Sequence, residues 1–189
     1  MMRHDGAPLR VLYLGGTGTI SASCVRLSVE SGMSVSVLNR GNHSAARPKP
    51  EGVTWLTGDV TDDESLLAAV GDQRFDAVVN FLSYDAADVR RMVRMFGSRT
   101  GQYVHISSGS IYAKPVLQAP ISESTPIAPN PVLEYATAKW RAELALQRAL
   151  TEEGFPVTVD TNAVRGVDVR DGDSERALEE LRAAGASLA

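Results

Sequence analysis

Tyr135 and Lys139 stand four residues apart in the run Tyr135-Ala136-Thr137-Ala138-Lys139, a spacing that brings a phenol and an ammonium to one face of a helix. A free phenol titrates near pH 10, so acid–base work near neutrality requires a displacement of about three pH units, roughly 4 kcal/mol. A neighbouring ammonium favours the phenolate and provides part of that displacement. Ser107-Ser108 offers a third group. Read as the end of a strand at the ligand-binding edge of a sheet, it places a hydroxyl where it can donate to a carbonyl oxygen as charge gathers there. A Tyr and a Lys at this spacing, taken alone, read as a surface pair; the serines and a glycine-rich turn far upstream are what turn the three into a candidate site.

That turn is Gly15-Gly16-Thr17-Gly18-Thr19-Ile20-Ser21, after the apolar run Val11 to Leu14 and before a stripe of Ile20, Cys24 and Leu27 at helical spacing. A pyrophosphate can rest against helix N-terminal amides only where no Cβ intervenes, and the turn itself needs unusual backbone angles; Gly15 and Gly18 meet those needs. No Lys stands where a nucleoside-triphosphate loop requires one. The reading is dinucleotide binding, and a positive nicotinamide ring would add to the field that Lys139 places on Tyr135. After the second β-type run come Asn39 and Arg40, where NAD binding would call for a carboxylate on the ribose. A guanidinium can clamp a 2′-phosphate instead. The cofactor expected is NADP, with NAD as the alternative; the structural alternative for Arg40 is an exposed residue before the turn at Gly41.

Six β-type runs are positioned to carry these residues: Val11 to Leu14, Ser34 to Leu38, Val53 to Leu56, Ala77 to Phe81, Tyr103 to Ser107 and Val157 to Val159. Between them, apolar residues recur at three and four positions, as in Leu66, Leu67 and Val70 or Val89, Met92, Val93 and Phe96. This alternation predicts a parallel sheet with helices on both faces. Two long connections, Gly41 to Gly52 and the proline-rich Gly109 to Pro131, read as stiff surface loops, the second also as a lid or pocket wall. Beyond Val159 the alternation fades, leaving one short helix expected from Ser174 to about Ala184. The organisation expected is one dinucleotide-binding domain over 1–160 and an irregular tail over 161–189.

Composition narrows the class. The 189 residues carry 19 Lys plus Arg against 23 Asp plus Glu, a net charge of −4, and 43% are hydrophobic. A chain this long buries about 70% of its unfolded surface and needs no staples. Cys24 is the only cysteine, which excludes an internal disulfide and a cysteine-based zinc cluster. No metal site is expected. No apolar run reaches the roughly 18 residues of a membrane span, and Met1 to Pro8 does not resemble a signal peptide, so the expected location is the cytoplasm, without membrane contact. The acidic balance argues against nucleic acid as a partner; Arg90, Arg91 and Arg94 read as the solvated face of a helix.

Taken in order, Gly15-Gly16-Thr17-Gly18-Thr19-Ile20, Gly58-Asp59-Val60, Ser107-Ser108-Gly109-Ser110-Ile111-Tyr112 and Tyr135-Ala136-Thr137-Ala138-Lys139 resemble the extended short-chain dehydrogenase/reductases, specifically their NAD-dependent epimerase/dehydratase group. The match covers residues 10 to about 159. The resemblance implies an α/β, Rossmann-type doubly wound parallel sheet of about six strands. It implies cofactor contacts from Gly15 through Ile20, from Asn39, Arg40 and Lys139, and from Asp59 and Val60 at the adenine. It makes Tyr135 the catalytic acid/base and Lys139 the residue that binds the nicotinamide ribose and lowers the tyrosine's pKa. Ser108, four residues before Tyr112, would orient the substrate's reacting oxygen. Family members often dimerise through the helix that carries the tyrosine, so a homodimer through Trp140, Leu144 and Leu150 is one expectation; placement of these side chains in the core is the other.

The chain departs from the family pattern at three places. Ser21 holds the position of the third glycine, Asn80-Phe81-Leu82-Ser83 stands where small residues are commoner, and Val159-Asp160-Thr161-Asn162 replaces an Arg-Pro-type segment. With thirty residues left after that point, the substrate domain is expected to be absent or vestigial. Two functions follow. One is an NAD(P)-dependent oxidoreductase or epimerase-type activity on a carbonyl or hydroxyl of a small substrate such as a nucleotide sugar. The other is a non-catalytic NADP-binding sensor, or a truncated remnant of such an enzyme.

Overall fold

Val11 and Tyr13 face one side of the first strand, β1 (Arg10–Leu14), and Leu12 and Leu14 the other; all four are buried, as a strand covered on both faces requires. The computed structural model describes residues 3, 5–41, 50–115, 121, 125–152, 158–159 and 187–188. The chain divides into two units, residues 1–83 with 91–106, and residues 84–90 with 107–189.

The first unit is built on β1, α1 (Ser21–Glu30), β2 (Ser34–Asn39), β3 (Val53–Thr57), α2 (Asp63–Val70), β4 (Phe75–Asn80), the later part of α3 (Ala86–Phe96) and β5 (Thr100–His105). Its five strands run parallel in the order β3-β2-β1-β4-β5. Leu12, Leu14, Leu38 and Val78 pack on one face with Leu66 and Val70 of α2 and Met92 and Phe96 of α3. Val11, Tyr13, Val35 and Val37 pack on the other with Val25 of α1. Chain order reverses direction between β1 and β4, and the carboxyl end of that pair is where open α/β sheets place ligands.

Local chemistry fixes the helix starts. Asp62 accepts hydrogen bonds from the Glu64 and Ser65 amides at the head of α2, and Asp85 accepts from Ala87 and Asp88 at the head of α3, each satisfying amides that the helix cannot. The buried face of α1 differs from the expected stripe: Ser21, Val25 and Ser28 are buried, whereas Ile20 is 70% and Leu27 63% exposed. The reason is a polar pair that hydrophobic periodicity does not register. Ser28 Oγ lies 2.8 Å from the Tyr13 hydroxyl, and a serine with a buried partner can take an inward position.

Strand ends also shift. β5 begins at Thr100 rather than Tyr103, because an edge strand tolerates the polar Thr100-Gly101-Gln102 that an interior strand would not. It ends at His105, so Ser107 lies beyond it. The main sheet has five strands rather than about six: Thr158–Val159 (β6) pairs in parallel with Ser187–Leu188 (β7) in a separate two-stranded ladder. Two residues make too few ladder bonds for periodicity to reveal their partner. The helix expected from Ser174 to Ala184 lies outside the described residues.

In the second unit a 3-10 turn (Gly109–Ile111) precedes α4 (Glu134–Glu152). The segment after it returns through Ala113 N–H to Pro126 O and Ala128 N–H to Ile111 O. Asn130 Oδ1 then accepts from the Val132 and Leu133 amides, while Thr137 Oγ1 accepts from Asn130 N–H and donates to Asn130 O. This latch sets where α4 begins, and with it Tyr135 and Lys139.

Candidate functional site

The glycine turn joins β1 to α1 at the carboxyl edge of the sheet in the first unit. Gly15 has φ +78°, in the region that favours glycine, and its amide donates to Leu38 O. Gly16 is the tightest position: a Cβ there would stand 2.7 Å from Val37 Cγ1 and 3.2 Å from Val25 Cγ2. Gly18, expected to supply an unusual backbone angle, is not among the glycines with positive φ; its amide donates to Ser21 Oγ at 2.9 Å, and a Cβ there would stand 3.1 Å from that same oxygen. Ser21 thus occupies the third-glycine position as a buried acceptor inside the turn. Thr17 is half-buried, and Thr19 and Ile20 are exposed. Ile20, at the head of α1, makes no side-chain cap hydrogen bond and no acidic residue stands in the first turn, an electrostatic setting suited to an anion.

Asn39 ends β2 beside this turn, and Arg40 follows it. Asn39 Oδ1 accepts from Gly41 N–H, and its Nδ2 is buried with no hydrogen-bond partner among the described residues. Such an orphan donor needs an explanation, and a ligand oxygen is one that fits this edge. Gly58 N–H donates to Asn39 O, which ties the end of β3 to the end of β2. Gly58 is required there because a Cβ would meet Ala69 Cβ at 2.9 Å. Asp59 follows, its carboxylate accepting from the Thr61 amide and hydroxyl. Those bonds hold it below the ordinary carboxylate range, with Arg40 and Arg91 adding their positive charge. Val60 packs against the apolar cluster below. Glycine turn, uncapped helix head and orphan amide together fit a dinucleotide.

The second unit holds Ser108, Tyr135 and Lys139. Ser108 Oγ caps the 3-10 turn, accepting from Ser110 N–H at 3.2 Å and lying 2.7 Å from Ser110 Oγ. The hydroxyl of Ser107, by contrast, is buried without a hydrogen-bond partner among the described residues. Tyr135 is 44% exposed near the start of α4, and Lys139, one turn on, is 2% exposed. Burial lowers the Lys139 pKa from its ordinary value, and the carboxylates of Glu143 and Asp88 oppose that shift. Trp140 and Leu144 are half-buried, and α4 buries Ala136, Ala142, Ala145 and Ala149 instead.

Sequence reasoning missed Tyr84. Its ring lies 5.2 Å from Lys139 Nζ and 6.5 Å, centroid to centroid, from the Tyr135 ring. The available signal was the pattern Asp85-x-x-Asp88 ahead of an apolar run, which marks a helix start and fixes the aromatic residue just before it. Leu82, noted in the sequence only as part of the run Asn80-Phe81-Leu82-Ser83, donates its amide to Asn80 Oδ1, and a Cβ on Gly15 would meet its side chain at 3.0 Å.

Comparisons with known proteins bear on the family and the fold. The chain is 27% identical over 192 aligned positions to the UDP-glucose 4-epimerase of Lactobacillus helveticus, covering 91% of this chain and 55% of that protein. It is 30% identical over 141 positions to the 2′-dehydrokanamycin reductase of Streptomyces kanamyceticus, covering 75% of this chain and 38% of that one. The chain therefore spans about half, or less, of the length of these relatives. Among solved structures, the dTDP-glucose 4,6-dehydratase of Bacillus anthracis, determined in complex with NAD, superposes with a TM-score of 0.63 at 19% identity over 80% of this chain and 53% of that chain. That likeness shows the fold. Residues 11–161, from the first strand through the Tyr135 helix, match the model of one family, and by that match the chain belongs to the NAD dependent epimerase/dehydratase family.

Proposed function

We propose that the chain binds a nicotinamide dinucleotide at the Gly15–Ile20 turn and serves an oxidoreductase or epimerase-type reaction at a carbonyl or hydroxyl carbon of a small substrate, a nucleotide sugar being the class favoured. The observation that carries the proposal is the glycine turn with its uncapped helix head. When bound, the nicotinamide supplies the hydride donor or acceptor. Tyr135 Oη exchanges the proton on the substrate oxygen, Lys139 Nζ holds the nicotinamide ribose, and Ser108 Oγ donates to the same oxygen that Tyr135 serves. Asp59 and Val60 belong to the adenine end. Arg40, exposed just after β2, supports a preference for NADP over NAD, and the buried Nδ2 of Asn39 supports an oxygen ligand at the same edge.

The functional domain is residues 1–160, working in the cytoplasm on a small-molecule substrate, with no nucleic-acid or membrane partner. Among the described residues no helix is long and apolar enough to cross a membrane. Titration with NADPH and NADH, followed by nicotinamide fluorescence, tests binding: saturation is expected, and no saturable change with either would reject the reading. Arg40→Ala should bring the two affinities closer, and an unchanged ratio would reject the NADP preference. Incubation with NAD or NADP and UDP-glucose tests turnover, which Tyr135→Phe should abolish in a folded protein. Saturable binding without turnover on any nucleotide sugar would favour a non-catalytic sensor.

A further inference from the structure

Lys139 carries an ammonium at 2% exposure while Tyr135, one helical turn before it, is 44% exposed. A buried ammonium needs something that keeps water away without leaving the charge in an apolar surrounding. Tyr84 meets both requirements. Its ring face lies 5.2 Å from Lys139 Nζ, and the negative face of an aromatic ring attracts a cation. The same ring meets the Tyr135 ring at 6.5 Å and an interplanar angle of 55°, the tilted arrangement that aromatic pairs favour.

The position of Tyr84 is set by its backbone. Its amide donates to Asp88 Oδ2 at 2.9 Å, and the next residue, Asp85, caps α3 through the Ala87 and Asp88 amides. No described residue hydrogen-bonds its hydroxyl, and 49% of the residue is exposed, so neither the phenol oxygen nor the core accounts for a tyrosine here. We propose that Tyr84 is a positioning residue: its ring shields the Lys139 ammonium from water and holds it on the face of α4 that also carries Tyr135. The role of Lys139 toward a nicotinamide ribose rests on the function proposed above; the shielding does not.

The charged groups that act on Lys139 are Glu143, on its own helix, and Asp88, on α3, both of which raise its pKa against the lowering by burial. The aromatic ring against Lys139 Nζ is that of Tyr84, which in turn meets Tyr135. Removing the ring of Tyr84 takes away its attraction for the cation, which acts to lower the pKa, but it also admits water to a group whose shift is caused first by burial; the second effect is the larger, so the Lys139 titration should move up.

The chain has three lysines, Lys49, Lys114 and Lys139, which makes the measurement direct. In the full chain labelled with [ε-13C]lysine and free of dinucleotide, Lys139→Arg assigns the Lys139 signal, and a pH series gives its midpoint. The midpoint should lie below the ordinary lysine value of about 10.4. It should stay in place in Tyr84→Phe, which keeps the ring, and rise by about 0.5 pH unit or more in Tyr84→Ser. A midpoint that is unchanged or lower in Tyr84→Ser overturns the proposal, as does an equal rise in Tyr84→Phe, which would assign the effect to the hydroxyl. Should Tyr84→Ser fail to give a native amide spectrum, Tyr84→Ala is read by the same criteria. Because no cofactor is present, absence of NADPH or NADH binding would reject the proposed function while leaving this result intact.

Discussion

Gly16 does more to determine this turn than the glycine spacing alone suggests. A methyl group at Gly16 would be driven between Val37 and Val25, and overpacking of this kind costs about 1–3 kcal/mol. Gly16→Ala should therefore lower the urea midpoint with little change in slope, and a wild-type midpoint would contradict the packing described. Lys139 makes a prediction of a different kind. Its pKa is lowered in the folded chain, so between that value and the ordinary lysine value of about 10.4 the unfolded chain binds more protons. Stability then rises with pH across this window and is lost as pH falls through the folded value. Lys139→Met should flatten that part of the stability profile; profiles that run parallel would show the ammonium to be hydrated.

α1 illustrates how a polar pair decides which face of a helix turns inward. In α1 the inward Ser28 is held by the Tyr13 hydroxyl; Ser28→Ala leaves that hydroxyl short of a buried partner and should cost about 1 kcal/mol. Adding Tyr13→Phe should recover part of the loss in a double-mutant cycle, and strict additivity would contradict the pairing. The parallel sheet and its crossover helices were legible from alternating β-type and helical runs, since each run is long enough to carry its own period. The glycine turn between β1 and α1 was legible as well, and the ends of β2 and β3 to within one residue. What escaped was set by contacts between segments far apart in sequence, or by side chains that replace an apolar residue. The inward face of α1 depends on Tyr13, the early start of β5 on its being an edge strand, and the ring of Tyr84 reaches Lys139 55 positions later in the chain.

At the scale of the whole chain, the glycine turn and its neighbours all fall within residues 1–83 and 91–106, a unit with its own two-sided core. Among the described residues the segment beyond 160 contributes only Ser187–Leu188, paired with Thr158–Val159. A chain ending at residue 160 should therefore keep saturable NADPH or NADH binding, and loss of binding in a folded truncation would assign the tail a part in the site. The chain covers 55% of the Lactobacillus helveticus epimerase and 53% of the Bacillus anthracis dehydratase, so substrate choice is a separate question from cofactor binding. The most direct measurement is a 15N amide titration of the full chain with NADPH and with NADH. The account predicts saturable shifts concentrated in Gly15 through Ile20 at the head of α1, extending to Asn39 and Arg40; saturable shifts that leave those amides unmoved, or no shifts at all, would contradict it.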